Sequence, residues 1–165
     1  MKRLDIKWGI ILGLVYLVWL LASYYLGMHT DGIVKIWIVV LVSFILILCT
    51  LILALQDIKT REEALNFREG LKSGAVISVI GGVIAALSQV IYFQWVHPEF
   101  TDLMVEQTRV HYQNLGVADE FMSEILEGAR QSFGLKNYMI QAFGFQFVFG
   151  TIFSAMIMIF LRSRR

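Results

Sequence analysis

Charge is scarce in this chain, and its distribution is more telling than its amount. Charged residues make up 16% of the 165, against about 25% in a typical soluble domain. The runs Trp8–Leu26, Ile33–Leu55, Gly74–Val96 and Tyr138–Leu161 hold no Asp, Glu or Arg, and Lys35 is their only lysine. Without an intramembrane acid, the ionisable relays of pumps and carriers have no residues here. A single cysteine, Cys49, excludes an intrachain disulfide and any Cys/His zinc cluster; inside an apolar run it is expected to be a buried small side chain. HExxH, HxH, Walker and G-x-S-x-G patterns are missing too. No catalytic residue, cofactor site or metal site can be named, and the expectation is a protein that is not an enzyme. A net charge of +1 gives no reason to expect nucleic acid.

What remains is apolar sequence, 58% of the chain. Each run is long enough to cross roughly 30 Å of hydrocarbon as a helix. None alternates as a barrel strand would, and lipid admits only helices or closed barrels. The chain is therefore predicted to be an all-α integral membrane bundle of four transmembrane helices. Its spans are about 8–26, 33–55, 72–96 and 138–161, in one membrane domain over 1–165. The run after Met1-Lys2-Arg3 exceeds a signal-peptide core, and Ala22-Ser23-Tyr24 is a poor cleavage site, so it reads as a retained first helix.

Lysines and arginines number ten on the side holding both termini and the second connection, and four on the other. The excess marks the cytoplasmic face, which predicts both termini inside and the long third connection outside. Tyr24, Tyr25, Trp37, Tyr92, Trp95 and Tyr138 fall near that outer interface and Trp8 near the inner one, where amphipathic rings prefer to sit.

The connections carry their own signals. Gly27–Gly32 reads as a tight turn. Thr60-Arg61-Glu62-Glu63 has the capping-box pattern, predicting a short helix whose Ala64, Leu65 and Phe67 lie on the inner membrane surface. Residues 97–137 read as an extracytoplasmic helical hairpin between helices 3 and 4. Pro98 opens its first helix, with Phe100, Leu103, Met104 and Val110 on the apolar side. Asn114-Leu115-Gly116 stops that helix. A second follows from Ala118 or Asp119, with Phe121, Met122, Ile125, Leu126 and Ala129 on one face, and closes near Gly134.

Small residues recur every four positions in the third span: Gly70, Gly74, Ser78, Gly82 and Ala86. Such a ridge lets another backbone come close. Gly9 and Gly13 form a shorter one, and Ala142, Gln146, Gly150 and Ser154 another in the fourth span. These ridges serve either packing within the bundle or a homo-oligomer interface. Gln89 and Gln146 are amides inside spans. They either bond across helices, as Ser43, Thr50, Ser78, Ser88, Thr151 and Ser154 can, or line a polar pathway for a small solute. His29, His97 and His111, with Glu99, Asp102 and Glu106, sit on the outer side in no recognised ligand spacing; Glu106 can pair with Arg109.

Asn66-Phe67-Arg68-Glu69-Gly70-Leu71-Lys72-Ser73-Gly74 resembles the opening of the third crossing in the uncharacterised bacterial membrane proteins grouped as domain of unknown function family number 4199. Phe67, Gly70, Lys72 and Gly74 occupy the places of its Phe-x-x-small-x-Lys-x-Gly pattern. Tyr92, Phe93, Trp95 and Pro98-Glu99-Phe100 resemble its outer segment. Gln146-Phe147-Val148-Phe149-Gly150 resembles a stretch where the family is expected to have Glu first and Pro before the Gly; this chain has Gln146 and Phe149 there. The resemblance implies four crossings and supplies no activity. The sequence thus favours a structural, assembly or accessory subunit of the bacterial inner membrane, contacting lipid and either further copies or another membrane protein. The alternatives are a solute transporter or channel component with a pathway near Gln89 and Gln146, and an extracytoplasmic sensor or metal-binding module.

Overall fold

The computed structural model describes residues 3–28, 33–61 and 65–161. They form α1 (Arg3–Tyr25), α2 (Ile33–Arg61), α3 (Phe67–Ile91), α4 (Phe100–Asn114), α5 (Asp119–Ser132) and α6 (Leu135–Leu161), and a π-helical turn, Tyr92–Val96, prolongs α3. There is no strand among the described residues. Arg3–Tyr25, Trp37–Arg61, Phe67–Val96 and Leu135–Leu161 are long and apolar enough to cross a membrane, matching the four expected spans in number and place. The chain is an all-α, multi-pass bundle.

The helix at the centre is α3. In its most apolar stretch 50% of residues are buried, against at most 33% in the other three spans. One face meets α6. A Cβ built on Gly70 would collide with Met158, one on Gly74 with Ser154, and one on Gly150 with Ser78. Gly82 sits beside Phe143, where a Cβ would lie 3.0 Å from the ring and 3.2 Å from the carbonyl oxygen. The other face meets α1, where Gly9 leaves room for Ile80 and Gly13 for Ile84. In turn Gly81 leaves room for Leu12, whose Cδ2 would be 2.8 Å from an added Cβ. The small residues therefore set the spacing of α1, α3 and α6 within one chain. Lipid gives apolar helices little reason to associate, so this close dispersion contact is what holds them together. Ala86, at the end of the ridge, is half-buried.

Three expectations fail here. The intramembrane hydroxyls do not reach across helices. Ser43, Thr50, Ser78, Ser88, Thr151 and Ser154 each donate to the carbonyl four residues earlier in their own helix, at 2.7–2.8 Å, because that acceptor is always within reach. Cys49 is exposed, not buried; in a bundle, apolar residues face lipid as well as core, so apolarity does not imply burial. Leu65, expected on the membrane surface, is fully buried against Leu55, Ile58 and Met158.

The connections follow turn chemistry. Gly27 takes φ 70° and Gly116 φ 74°. After each helix the next amide reaches back five residues, Met28 to Ser23 at 3.0 Å and Val117 to Tyr112 at 3.2 Å. This is the left-handed helix stop that glycine permits. Gly32 lies outside the described residues. Thr60 does not open a new helix: it continues α2, donating to the Asp57 carbonyl at 2.9 Å, while Glu62, Glu63 and Ala64 lie outside the described residues. The capping box instead forms six residues later. Asn66 Oδ1 accepts from the Glu69 amide at 2.9 Å and the Glu69 carboxylate accepts from the Asn66 amide at 3.4 Å.

Between α3 and α6, α4 and α5 form the expected helical hairpin. Helix α4 starts at Phe100 rather than Pro98, which occupies the turn before it. Arg130 and Asp102 pair across the hairpin at 3.0 Å, Glu106 and Arg109 pair along α4 at 3.2 Å, and Thr101 donates to the Phe133 carbonyl at 3.1 Å. Phe100, Met104, Val105, Met122 and Ala129 are buried, whereas Val110 and Phe121 are exposed despite their apolar character.

Candidate functional site: a cavity beneath the hairpin

Under the hairpin, between the upper halves of the spans, lies a cavity of about 260 Å³. Its walls include Tyr16 and Leu20 of α1, Ser43 of α2, Gln89 of α3 and Phe145 of α6, with Phe100 and Met104 of α4 at the hairpin side. Among the described residues, no Asp, Glu, Lys, Arg or His is in its lining. Its polar lining comprises Ser43, Gln89, Gln141 and the tyrosines Tyr16, Tyr92 and Tyr138, and two of these side chains form a pair. Gln89 Nε2 donates to Tyr16 Oη at 2.6 Å, and Gln89 Oε1, enclosed with its residue 3% exposed, has no hydrogen-bond partner among the described residues. A buried acceptor left unpaired costs about 1–3 kcal/mol.

Gln146 does not join this site. The contacts of Gly70 with Met158, Gly74 with Ser154 and Ser78 with Gly150 set an antiparallel register that carries Gln146 to the level of Gly82. That is about 10 Å along α3 from Gln89. Gln146 is 1% exposed, neither amide atom has a partner among the described residues, and it is absent from the cavity wall. The two amides expected to share a pathway thus occupy separate places.

At the mouth of the bundle the aromatic residues divide into two groups. Tyr25, Trp37 and Trp95 are exposed, as a membrane-interface belt would be. Tyr24, Tyr92, Phe93, Phe100 and Tyr138 pack edge-to-face or tilted around His97, with neighbouring ring centres 5.2–5.9 Å apart. The π-helical turn supplies the geometry: it brings Tyr92 Oη to 3.1 Å from His97 Nδ1. Burial pushes the His97 pKa below its usual value, against a smaller upward pull from Glu99. His111 is exposed on α4, and His29 lies outside the described residues. No three His, Cys, Asp or Glu side chains converge among the described residues.

A family model described as "Protein of unknown function (DUF4199)" matches residues 7–163. The chain belongs to that family. No curated protein and no solved structure matches it. In this family member the Phe67, Gly70, Lys72 and Gly74 pattern marks the start of α3, where Gly70 and Gly74 admit α6.

Gln141, an amide of the fourth run that lines the cavity, was not singled out in the sequence, and two further features escaped with it. Tyr16 was the hidden half of the Gln89 pair. Its signal was available: a tyrosine in the middle of a run carries a polar tip that needs a partner, unlike Tyr24 and Tyr25 at the run's end. Asp57 was the other. It lies two residues past the second run, yet it accepts from Trp8 Nε1 at 2.9 Å and Arg61 Nε at 2.7 Å, with Lys7 at 3.5 Å, tying α1 to α2 at the end of the bundle opposite the hairpin.

Proposed function

We propose that this is a non-enzymatic protein of the bacterial cytoplasmic membrane, with both termini in the cytoplasm and the hairpin outside, serving as a structural, assembly or accessory subunit. The observation that carries the reading is the hairpin tip. Val110, Leu115 and Phe121 are exposed there, Phe121 by 57%, in a segment whose other exposed residues are mostly polar. Large apolar side chains exposed within a polar segment are ones that a protein contact would cover. The ridges of α3 and α6 fill one another, so a partner is met elsewhere. The lysine and arginine asymmetry supports the orientation.

A solute pathway draws less support, because Gln146 stands apart from the cavity that Gln89 lines. Site-specific photo-cross-linking in the bacterial membrane tests the partner reading. Cross-linkers at Leu115 and Phe121 are expected to give discrete protein adducts, and one at the lipid-exposed Leu87 none. Lipid adducts alone at all three positions would refute it. Orientation is checked separately by an impermeant maleimide on Asp119→Cys in a Cys49→Ala background. Labelling of intact cells is expected, and labelling only after lysis would reverse the topology.

A further inference from the structure

We infer that the cavity beneath the hairpin is a binding site for a neutral hydroxyl compound built on an aromatic ring, held by Gln89 and Tyr16. Three properties of the site lead to this ligand class. First, no charged side chain is present in the wall among the described residues, so an ionised headgroup would enter there without a counter-charge and lose its hydration. Second, the pair of side chains presents a specific hydrogen-bonding demand. Tyr16 accepts from Gln89 Nε2 and keeps its own O–H to donate, while Gln89 Oε1 is an enclosed acceptor without a partner among the described residues. A hydroxyl answers both, accepting from Tyr16 and, after a small rotation of the enclosed amide toward the cavity, donating to Gln89. If the amide is turned over, Tyr16 donates to the carbonyl and Nε2 is left as the donor; a hydroxyl oxygen accepts from it equally well. A bare hydrocarbon leaves the amide unpaired in either orientation.

Third, the walls favour a ring. Tyr16, Tyr92, Phe100, Tyr138 and Phe145 all line the cavity, and aromatic surfaces prefer offset or edge-to-face ring contacts. The volume, about 260 Å³, exceeds the roughly 150 Å³ apolar cavity known to take a benzene, leaving space for a substituted ring. The polar pair also lies deep, since Gln89 is seven residues before Val96, or about 10 Å below the end of that span. A phenol that partitions into the bilayer fits this depth, whereas a lipid whose hydroxyl stays at the headgroup level does not.

Fluorine NMR on the full chain in phosphatidylcholine nanodiscs tests the assignment, with empty nanodiscs subtracting partition into lipid. The probes are para-trifluoromethylphenol, trifluoromethylbenzene and a trifluoromethyl-terminated octanol. The phenol is expected to show a saturable bound signal at least about tenfold tighter than the ring without a hydroxyl, the scale of one buried hydrogen-bonded group, and tighter than the octanol. Gln89→Leu should bring phenol and trifluoromethylbenzene within about twofold of each other. It should still bind trifluoromethylbenzene, which shows that the cavity stands. Tyr16→Phe, which keeps the ring, should weaken the phenol in the same direction if the Leu variant does not fold. No saturable signal beyond empty discs, equal affinity of wild type for phenol and trifluoromethylbenzene, or octanol binding as tightly as phenol would each overturn the assignment.

Discussion

Replacing Gly82 should damage this protein far more than removing bulk from Leu87, although both positions lie in the third crossing. At Gly82 an added methyl would stand 3.0 Å from Phe143 Cδ2 and 3.2 Å from the Phe143 carbonyl oxygen. The ring can give by a few tenths of an ångström; the carbonyl belongs to the α6 backbone and cannot move alone. Gly82→Ala is therefore expected to cost under about 1 kcal/mol, and Gly82→Leu about 3 kcal/mol, the upper range for overpacking. The larger figure follows from leverage. Leu forces α6 outward at one end of a contact that continues through Ser78–Gly150, Gly74–Ser154 and Gly70–Met158. A gap of 0.5–1 Å already forfeits roughly a quarter to a half of each dispersion contact. Leu87 is 55% exposed, and lipid tails fill the space its truncation leaves, so Leu87→Ala should cost under about 0.5 kcal/mol. Unfolding in mixed micelles at increasing SDS fraction, followed by tryptophan fluorescence, measures all three. If Leu87→Ala destabilises as much as Gly82→Leu, close backbone approach is not what holds α3 to α6.

The junction around His97 should respond to acid. Burial lowers the His97 pKa in the fold, so the folded state favours the neutral ring. Its contribution is complete above the ordinary histidine value near about 6.5 and is lost as pH falls below it. Thermal stability in detergent should drop as the pH falls below about 6.5 in the wild type and stay flatter in His97→Phe, which keeps the ring contacts; equal slopes would refute this role. At the opposite end, Trp8→Phe and Asp57→Asn remove parts of one hydrogen-bonded cluster. Their effects on unfolding in mixed micelles should be non-additive in a double-mutant cycle, and simple additivity would show that α1 and α2 are not coupled through Asp57.

Much of the architecture was legible because lipid imposes blunt rules. A charge-free run of twenty residues has one stable form in a membrane, and glycine after a helix has one common use. Hence the spans, the hairpin and its stop at Gly116 can be read in advance. The candidate site was only half legible. Gln89 stood out as an amide within a span, but Tyr16 is 73 positions away, and no local pattern announces such a pairing. Gln146 looked equivalent to Gln89 and is not, because the register of α6 on α3 decides which amide meets the cavity.

By itself, the sequence determined that this chain forms four apolar helices and a polar hairpin, and which of their faces carry small side chains. These are properties of each segment alone, set by hydrogen bonding in lipid and by side-chain size. Tertiary structure decided which ridge meets which, that Cys49 faces outward while Leu65 is sealed in, and that Gln89, Tyr16 and the aromatic walls line one space. In a membrane protein both lipid and core are apolar, so hydropathy cannot tell inside from outside. Only the fit of one helix against another can.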